Sequence, residues 1–336
     1  LVAATDQAAR TAAQTKLQDA RQAAGQQSDE YTPLGEQFPR SSTGRRSGLA
    51  DWIVDDSNPR TARVAANHIW GRHFGHPLVA TPENFGLNGR QPTHPQLLDW
   101  LATELIANDW KMKPVHRQIV LSATYRMGSE LPPATSQASH DPSTADPDNH
   151  YLWRMNSRRM EAEVVRDSTL SVASRLDKTM GGPELPETDG EKNLRRSLYF
   201  RNTPNEKMLM LEVFDVADPN ACYRRKESIV PHQSLAMMNS GLALDSARIL
   251  ATELADEDDF VGAAFSAVLA RLPTTEEAER CQTFLRQHAE LLQQTPPEVF
   301  PVGGSATETA ATDLLMRAKQ NLVHVLLLHN DFVTIR

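Results

Sequence analysis

Thr93-His94-Pro95-Gln96-Leu97-Leu98-Asp99-Trp100-Leu101-Ala102-Thr103-Glu104-Leu105-Ile106 is the segment whose reading decides the fold class. Leu97, Leu98, Leu101, Leu105 and Ile106 recur at i, i+1, i+4, i+8 and i+9, a pattern that one helical face explains and a strand does not. Pro95 suits a first helical turn, and His94 before it is placed to cap. Upstream, Asn58-Pro59 opens a helix with Val64, Ala65, Ile69 and Trp70 on one stripe, and Gly75 is placed to end it in a left-handed cap. Downstream, Pro114 opens a third helix with Val115 and Ile119 on one side. A further helix is expected from Asn156-Ser157 to about Lys178, stopped by Gly181-Gly182-Pro183. Helical signals return at 231–239, 243–254, 260–270, 275–292 and 309–329, and Thr274 with Glu277 fits a capping box. Residues 196–201, with Leu198 and Phe200 alternating, are the best strand candidate. No steady strand–helix alternation is present, so the reading is a mainly α, multi-helix globular domain with a minor β element.

Around this body lie polar segments. Residues 1–45 read as an Ala/Gln/Thr-rich helical arm followed by a linker, with Pro and Gly between 31 and 48 giving loop chemistry. Residues 46–336 form the globular domain, interrupted at 128–149 by a Pro/Ser/Thr/Asp-rich stretch expected to be an exposed linker. The chain begins Leu1-Val2-Ala3 without a charged segment ahead of an apolar one, so the natural start is expected upstream, or the chain is a mature or truncated form. The formal charge of −8 argues against a nucleic-acid partner, and no apolar run is long enough for a membrane span. Cys222 and Cys281 allow one disulfide and no metal framework. No Cys-x-x-Cys-His is present, so no cofactor is expected in this chain. Gly-x-Ser-x-Gly, His-Glu-x-x-His and a phosphate loop are also missing, which weighs against the common hydrolases and kinases.

From residue 46 onward, ordered blocks carry a resemblance. The first is Asn58-Pro59-x-Thr61-Ala62-Arg63-Val64, then Asn67-x-Ile69-Trp70 and His73-Phe74-Gly75. Leu78-Val79-x-Thr81-Pro82-x-Asn84-Phe85-Gly86, His94-Pro95-x-Leu97-Leu98-Asp99-Trp100-Leu101 and Leu121-Ser122-Ala123-Thr124-Tyr125-Arg126 follow. The second half holds Arg158-Arg159-Met160-Glu161-Ala162-Glu163, Arg166-Asp167, Arg196-Ser197-Leu198-Tyr199, Phe214-Asp215, Asp218-Pro219-Asn220 and Pro231-x-Gln233-Ser234-Leu235. In these blocks the chain resembles the bacterial domain-of-unknown-function family 1553. His68 and Met127 depart from it, standing where Arg and Gln are more usual. The resemblance implies an extracytoplasmic, planctomycete-type multidomain protein, periplasmic or secreted. Its partners would be other domains of the same parent, among them family 1549 and a cytochrome-c-like domain, so that haem would sit in a separate domain. It also implies an association with polysaccharide, and it supplies no mechanism to carry over.

The blocks define the candidate site. Glu163, Arg159, Arg196 and Asp215 are the candidates for acid–base or charge-stabilising chemistry, and Tyr125, Arg126, His73 and His94 for ligand binding. Each also has a structural reading. Arg159, Glu163 and Asp167 follow i, i+4 spacing and would form an ion-pair ladder on a helix, with Met160 and Val164 as its narrow apolar stripe. Glu161 and Glu163 lie about 200° apart on that helix, so they are not a facing carboxylate pair. Glu163 is expected to meet an Arg from another block. Arg196 would pair with Asp215, His73 would pack beneath Phe74, and His94 would cap. Histidine spacing around His73, His76 and His94 does not suit a metal, and none is expected. Two functions remain: a substrate-organising or protein-interaction module, or a carbohydrate-active hydrolase or lyase with an unfamiliar acid–base site. Docking to a haem domain for electron transfer is a third.

Overall fold

The computed structural model describes residues 7–26, 41–130, 141–221, 223, 225–294 and 306–335. The chain divides into two units, residues 1–58 and 59–336. In the first, helix α1 spans Gln7–Ala24 and α2 spans Arg45–Val54. Helix α2 occupies part of the stretch read as loop. Gly44 is left-handed (φ 73°) and precedes it, while the interior Gly48 costs a helix only about 1 kcal/mol, too little to break it. Helix α2 contributes no buried residue, and it lies on the first unit's side of the division at Asn58–Pro59.

The second unit holds two apolar clusters. Helices α3 (Pro59–Phe74), α4 (Pro95–Ala107) and α5 (Met112–Leu121) build one around Phe74, Leu101, Leu105 and Val115. Gly75 ends α3 at φ 79°, the expected left-handed cap. His94 sits at the start of α4 but caps nothing; its Nδ1 faces Thr93 Oγ1 at 3.0 Å. Helix α5 starts two residues before Pro114, which is tolerated there because first-turn amides lack intrahelical partners. Of the 128–149 stretch, residues 131–140 lie outside the described residues. The remainder includes the short α6 (Pro142–Ala145) and buried Asn149, which donates to Arg154 O and Asn156 Oδ1, both at 2.8 Å.

The larger cluster is built by helices α7 (Ala162–Val172), α8 (Leu209–Val213), α9 (Pro231–Asn239), α10 (Gly241–Glu253), α11 (Phe260–Leu269), α12 (Thr275–Gln294) and α13 (Leu314–Leu327). The capping box holds: Thr274 N donates to Glu277 Oε2 (2.8 Å) and Glu277 N to Thr274 Oγ1 (3.2 Å). Two corrections concern the β element. Residues 197–199 form a 3-10 turn, not a strand, and the sheet is a two-residue antiparallel ribbon of β1 (Arg158–Arg159) with β2 (Thr334–Ile335). The helix expected from 157 therefore begins only at Ala162, because Arg158 to Met160 are drawn into pairing with the distant 333–335 segment. No described helix is long and apolar enough to cross a membrane. Cys281 is a half-buried free thiol, and Cys222 lies outside the described residues.

Helix α7 buries Ala162, Val165, Arg166, Thr169 and Leu170, while Val164 is exposed. The expected stripe is therefore the wrong face. Arg166 has no exposed surface and lies over the Phe200 ring at 4.8 Å. Its Nε and Nη2 donate to Gly190 O (3.2 and 2.9 Å), Nη2 to Asn193 O (2.5 Å) and Nη1 to Arg195 O (2.9 Å). Asp167 completes the clasp by accepting from Ser197 N (2.8 Å) and Ser197 Oγ (2.6 Å). Only a planar five-donor fork can meet carbonyls from three residues at once. Arg166→Lys is expected to lower folding stability by about 3–5 kcal/mol, the cost of breaking a buried charged network. Urea unfolding measures it, and a loss below ~1 kcal/mol would show that the clasp is dispensable.

Candidate functional site

A cleft of about 330 Å³ opens where the two clusters of the second unit meet. One wall is the C-terminal half of α3 with the Gly75-His76-Pro77 turn; the others are the 158–161 segment and the loop from Phe214 to Ser228. The α3 wall is fixed by Asn67. This fully buried amide accepts from Val79 N (2.8 Å) and donates to Val79 O (3.1 Å), tying the returning chain to the helix. Asn156 Nδ2 donates to Phe74 O (3.0 Å) and so brings the 158–161 segment beside the end of α3.

The ionic arrangement follows from where α7 begins. Glu161 stands at its N-cap and Glu163 in its first turn, where the helix dipole favours negative charge. Glu163 receives a bidentate Arg225, Nη1 to Oε2 at 2.9 Å and Nη2 to Oε1 at 3.1 Å. Glu161 pairs with Arg72 and lies 3.5 Å from Arg225 Nη2. Glu163 thus meets an Arg from another block, as expected of it. The ladder with Arg159 does not form, because Arg159 is on β1. Its Nη1 donates to Asn330 Oδ1 and its Nη2 to Gln233 Oε1, both at 2.7 Å. Buried Gln233 in turn donates to Val213 O (3.3 Å) and Ser228 O (3.1 Å), bracing the loop behind the cleft.

Asp215, left-handed at φ 61°, lines the cleft, but its Oδ2 accepts from Ser228 N and Oγ, both at 2.7 Å. It does not pair with Arg196. That residue is exposed beside Asp167 and Leu198 in a separate hollow, because the 3-10 turn carries it away. Arg159 and Asp215 therefore share the cleft, Glu163 underlies it through Arg225, and Arg196 lines a different hollow that Glu163 also borders. Tyr125, Arg126 and His94 do not reach it. Tyr125 packs edge-on against His73 and Phe74 at 5.5 and 5.8 Å, Arg126 Nε donates to Ser122 O (3.4 Å), and the His94 ring meets Tyr151. His73 lies behind the α3 wall, with Nε2 2.7 Å from His116 Nδ1. Sequence reasoning missed Arg72, Arg158 and Glu161 as cleft residues. The available signal was the Arg158-Arg159 doublet directly ahead of a helix start.

Two further hollows, of about 320 and 360 Å³, adjoin the cleft. The first shares Glu161 and Arg225 with it, and the second shares Glu163 and Leu198 with the first. Through these shared residues the three hollows neighbour one another along a groove past the N-terminal half of α7, crossed by the Arg225 ion pairs to Glu161 and Glu163, with Tyr223 and Leu198 exposed at 46% and 56%. Among the described residues, no three His, Cys, Asp or Glu side chains are grouped as metal ligands.

The family model described as PSD1, protein of unknown function (DUF1553), matches residues 45–285. The chain belongs to this family. The match covers α2 to α11, the first part of α12 and most of the groove, but stops before α13 and β2. No curated protein and no solved structure matches the chain.

Two outcomes test the site as described. Glu163→Gln should lower stability by about 1.5–3 kcal/mol, the range for charge-assisted hydrogen bonds in part-buried positions. A loss under ~0.5 kcal/mol in urea unfolding would mean that the pair is solvated. The second concerns acid. Burial holds His73 below the ordinary imidazole value, helped by His116 and Arg158, and burial does the same for His68 and His324. A histidine depressed in the folded state contributes stability that is present above its unfolded value, about 6.5, and lost as pH falls below it. The melting temperature should therefore fall as pH drops below about 6.5, and less steeply in His73→Gln. A pH-independent melt across that window would contradict it.

Proposed function

We propose that the domain is a substrate-organising module that lays a linear polysaccharide along the groove beside α7. The observation that carries this reading is the succession of three neighbouring hollows that share Glu161, Arg225, Glu163 and Leu198 as lining, which fits an extended ligand better than a compact one. The lining agrees. It includes four guanidinium groups, of Arg72, Arg158, Arg159 and Arg225, and Tyr223 offers an exposed ring with an apolar face and a polar tip.

The carboxylates argue against hydrolysis or elimination at this site. Glu163 has both oxygens bonded to Arg225, and Glu161 is shared between two guanidiniums. Carboxylates whose oxygens are already held by guanidiniums are not placed to give or take a proton at a substrate atom. On this reading the domain works outside the cytoplasm beside other domains of a longer protein. Any haem belongs to one of those, and the chemistry is done elsewhere.

The test is affinity electrophoresis of the protein against neutral and acidic polysaccharides, with reducing ends assayed in parallel. Retardation by at least one polymer without new reducing ends is expected, and it should be weakened in Tyr223→Ala and Leu198→Asp. New reducing ends that disappear in Glu163→Gln would replace this reading with an enzyme, and no retardation by any polymer would reject it.

A further inference from the structure

Charge in the cleft is unevenly compensated. Arg72 and Arg225 are answered by Glu161 and Glu163. Asp215 is turned to Ser228, and Lys226 and Glu227, both exposed, are of opposite sign. Arg159 is held only by the neutral amides of Asn330 and Gln233. Arg158 has no hydrogen-bond or ion-pair partner among the described residues, and its Nε is shielded from solvent without an acceptor. Two adjacent arginines of β1 therefore line one cleft with no carboxylate paired to either among the described residues, in a chain of net charge −8. Unanswered cations of this kind are costly to hold together in a partly desolvated site.

Local structure keeps Arg158 where it is. Its aliphatic stem lies against left-handed Gly75, where a Cβ would stand 3.2 Å from Arg158 Cδ. The β1–β2 ribbon fixes its backbone opposite Ile335. Nothing in the fold requires a positive charge at this position, since no described carboxylate is neutralised by it. Guanidinium is planar, permanently charged and suited to bidentate capture of a carboxylate or sulfate.

We infer that Arg158 and Arg159 form an oxyanion subsite at the floor of the cleft, selecting a ligand that bears carboxylate or sulfate groups. Taken with the groove, and resting there on the polysaccharide reading, the ligand is an acidic polysaccharide whose charged substituent docks at Arg158. Arg159 is preorganised for it by Gln233 and Asn330, while Arg158 gains its first acceptor when the ligand arrives.

Calorimetric titration of the full chain tests this with four probes: a neutral oligosaccharide, its sulfated derivative, an oligouronate, and free sulfate or glucuronate. The wild type should bind the sulfated or uronate oligomer at least about tenfold more tightly than the neutral one (~1.4 kcal/mol), with affinity falling as salt rises. Arg158→Met should erase that preference, so that sulfated or uronate and neutral oligomers bind the variant alike. Its melting temperature should be unchanged or raised, since no partner is lost. Equal binding of neutral and acidic oligomers overturns the subsite and leaves the groove reading standing. Binding of free sulfate or glucuronate, lost in Arg158→Met, without binding of any oligomer supports the subsite and rejects the polysaccharide. An acidic preference that survives in Arg158→Met, or no binding of any anion, overturns the subsite.

Discussion

The buried guanidinium of Arg166 is the constraint on which the rest of this architecture depends. An ionised group without solvent exposure is tolerable only if its donors are met, and here they are met by main-chain carbonyls of Gly190, Asn193 and Arg195. The segment around 187–197 has almost no regular structure of its own, so these bonds substitute for the ladder that a strand would have supplied. By fixing Arg195 and, through Asp167, Ser197, the clasp sets the 3-10 turn, and the turn presents Leu198 on the groove. A core residue on one side of α7 thus dictates the shape of a surface on the other.

The first turn of α7 sets the charge pattern of the site in a similar way. Starting the helix at Ala162 leaves Glu161 and Glu163 where two distant arginines can reach them, and leaves Arg158 and Arg159 on the ribbon, out of reach of both. The cleft is consequently neither an acid–base pair nor a uniformly basic patch. It is a balanced ionic rim with an unbalanced floor.

Most of the helices were legible because their signals are local. The 231–239 helix has the boundaries its proline and periodicity implied, and the Thr274–Glu277 box closes as its spacing requires. Errors arose where a distant partner overrides a local signal. Arg158 to Met160 have ordinary helix propensity, yet pairing with 333–335 draws them into extended conformation. Leu198 and Phe200 alternate as a strand would, and Phe200 does bridge to Leu185, but Ser197 to Tyr199 close into a 3-10 turn and no ladder extends from that bridge. The apolar stripe on α7 misled because the most buried large side chain there is an arginine. Of the site, Arg159, Glu163 and Asp215 could be found from charge density alone. Arg72, Arg158 and Glu161 become visible only once α3 and β1 are placed side by side.

The short ribbon has a consequence for how the site comes into being. Arg159 and Asn330, which meet across the back of the cleft, are 171 residues apart in sequence. Contacts of such long separation are slow to form, because the loop between them must close first. A fragment trimmed to the family boundaries at 45 and 285 would keep Arg158 but lose the strand that holds it and the asparagine that steadies its neighbour. The recognisable part of the sequence and the part that completes the site are therefore different stretches of the same chain.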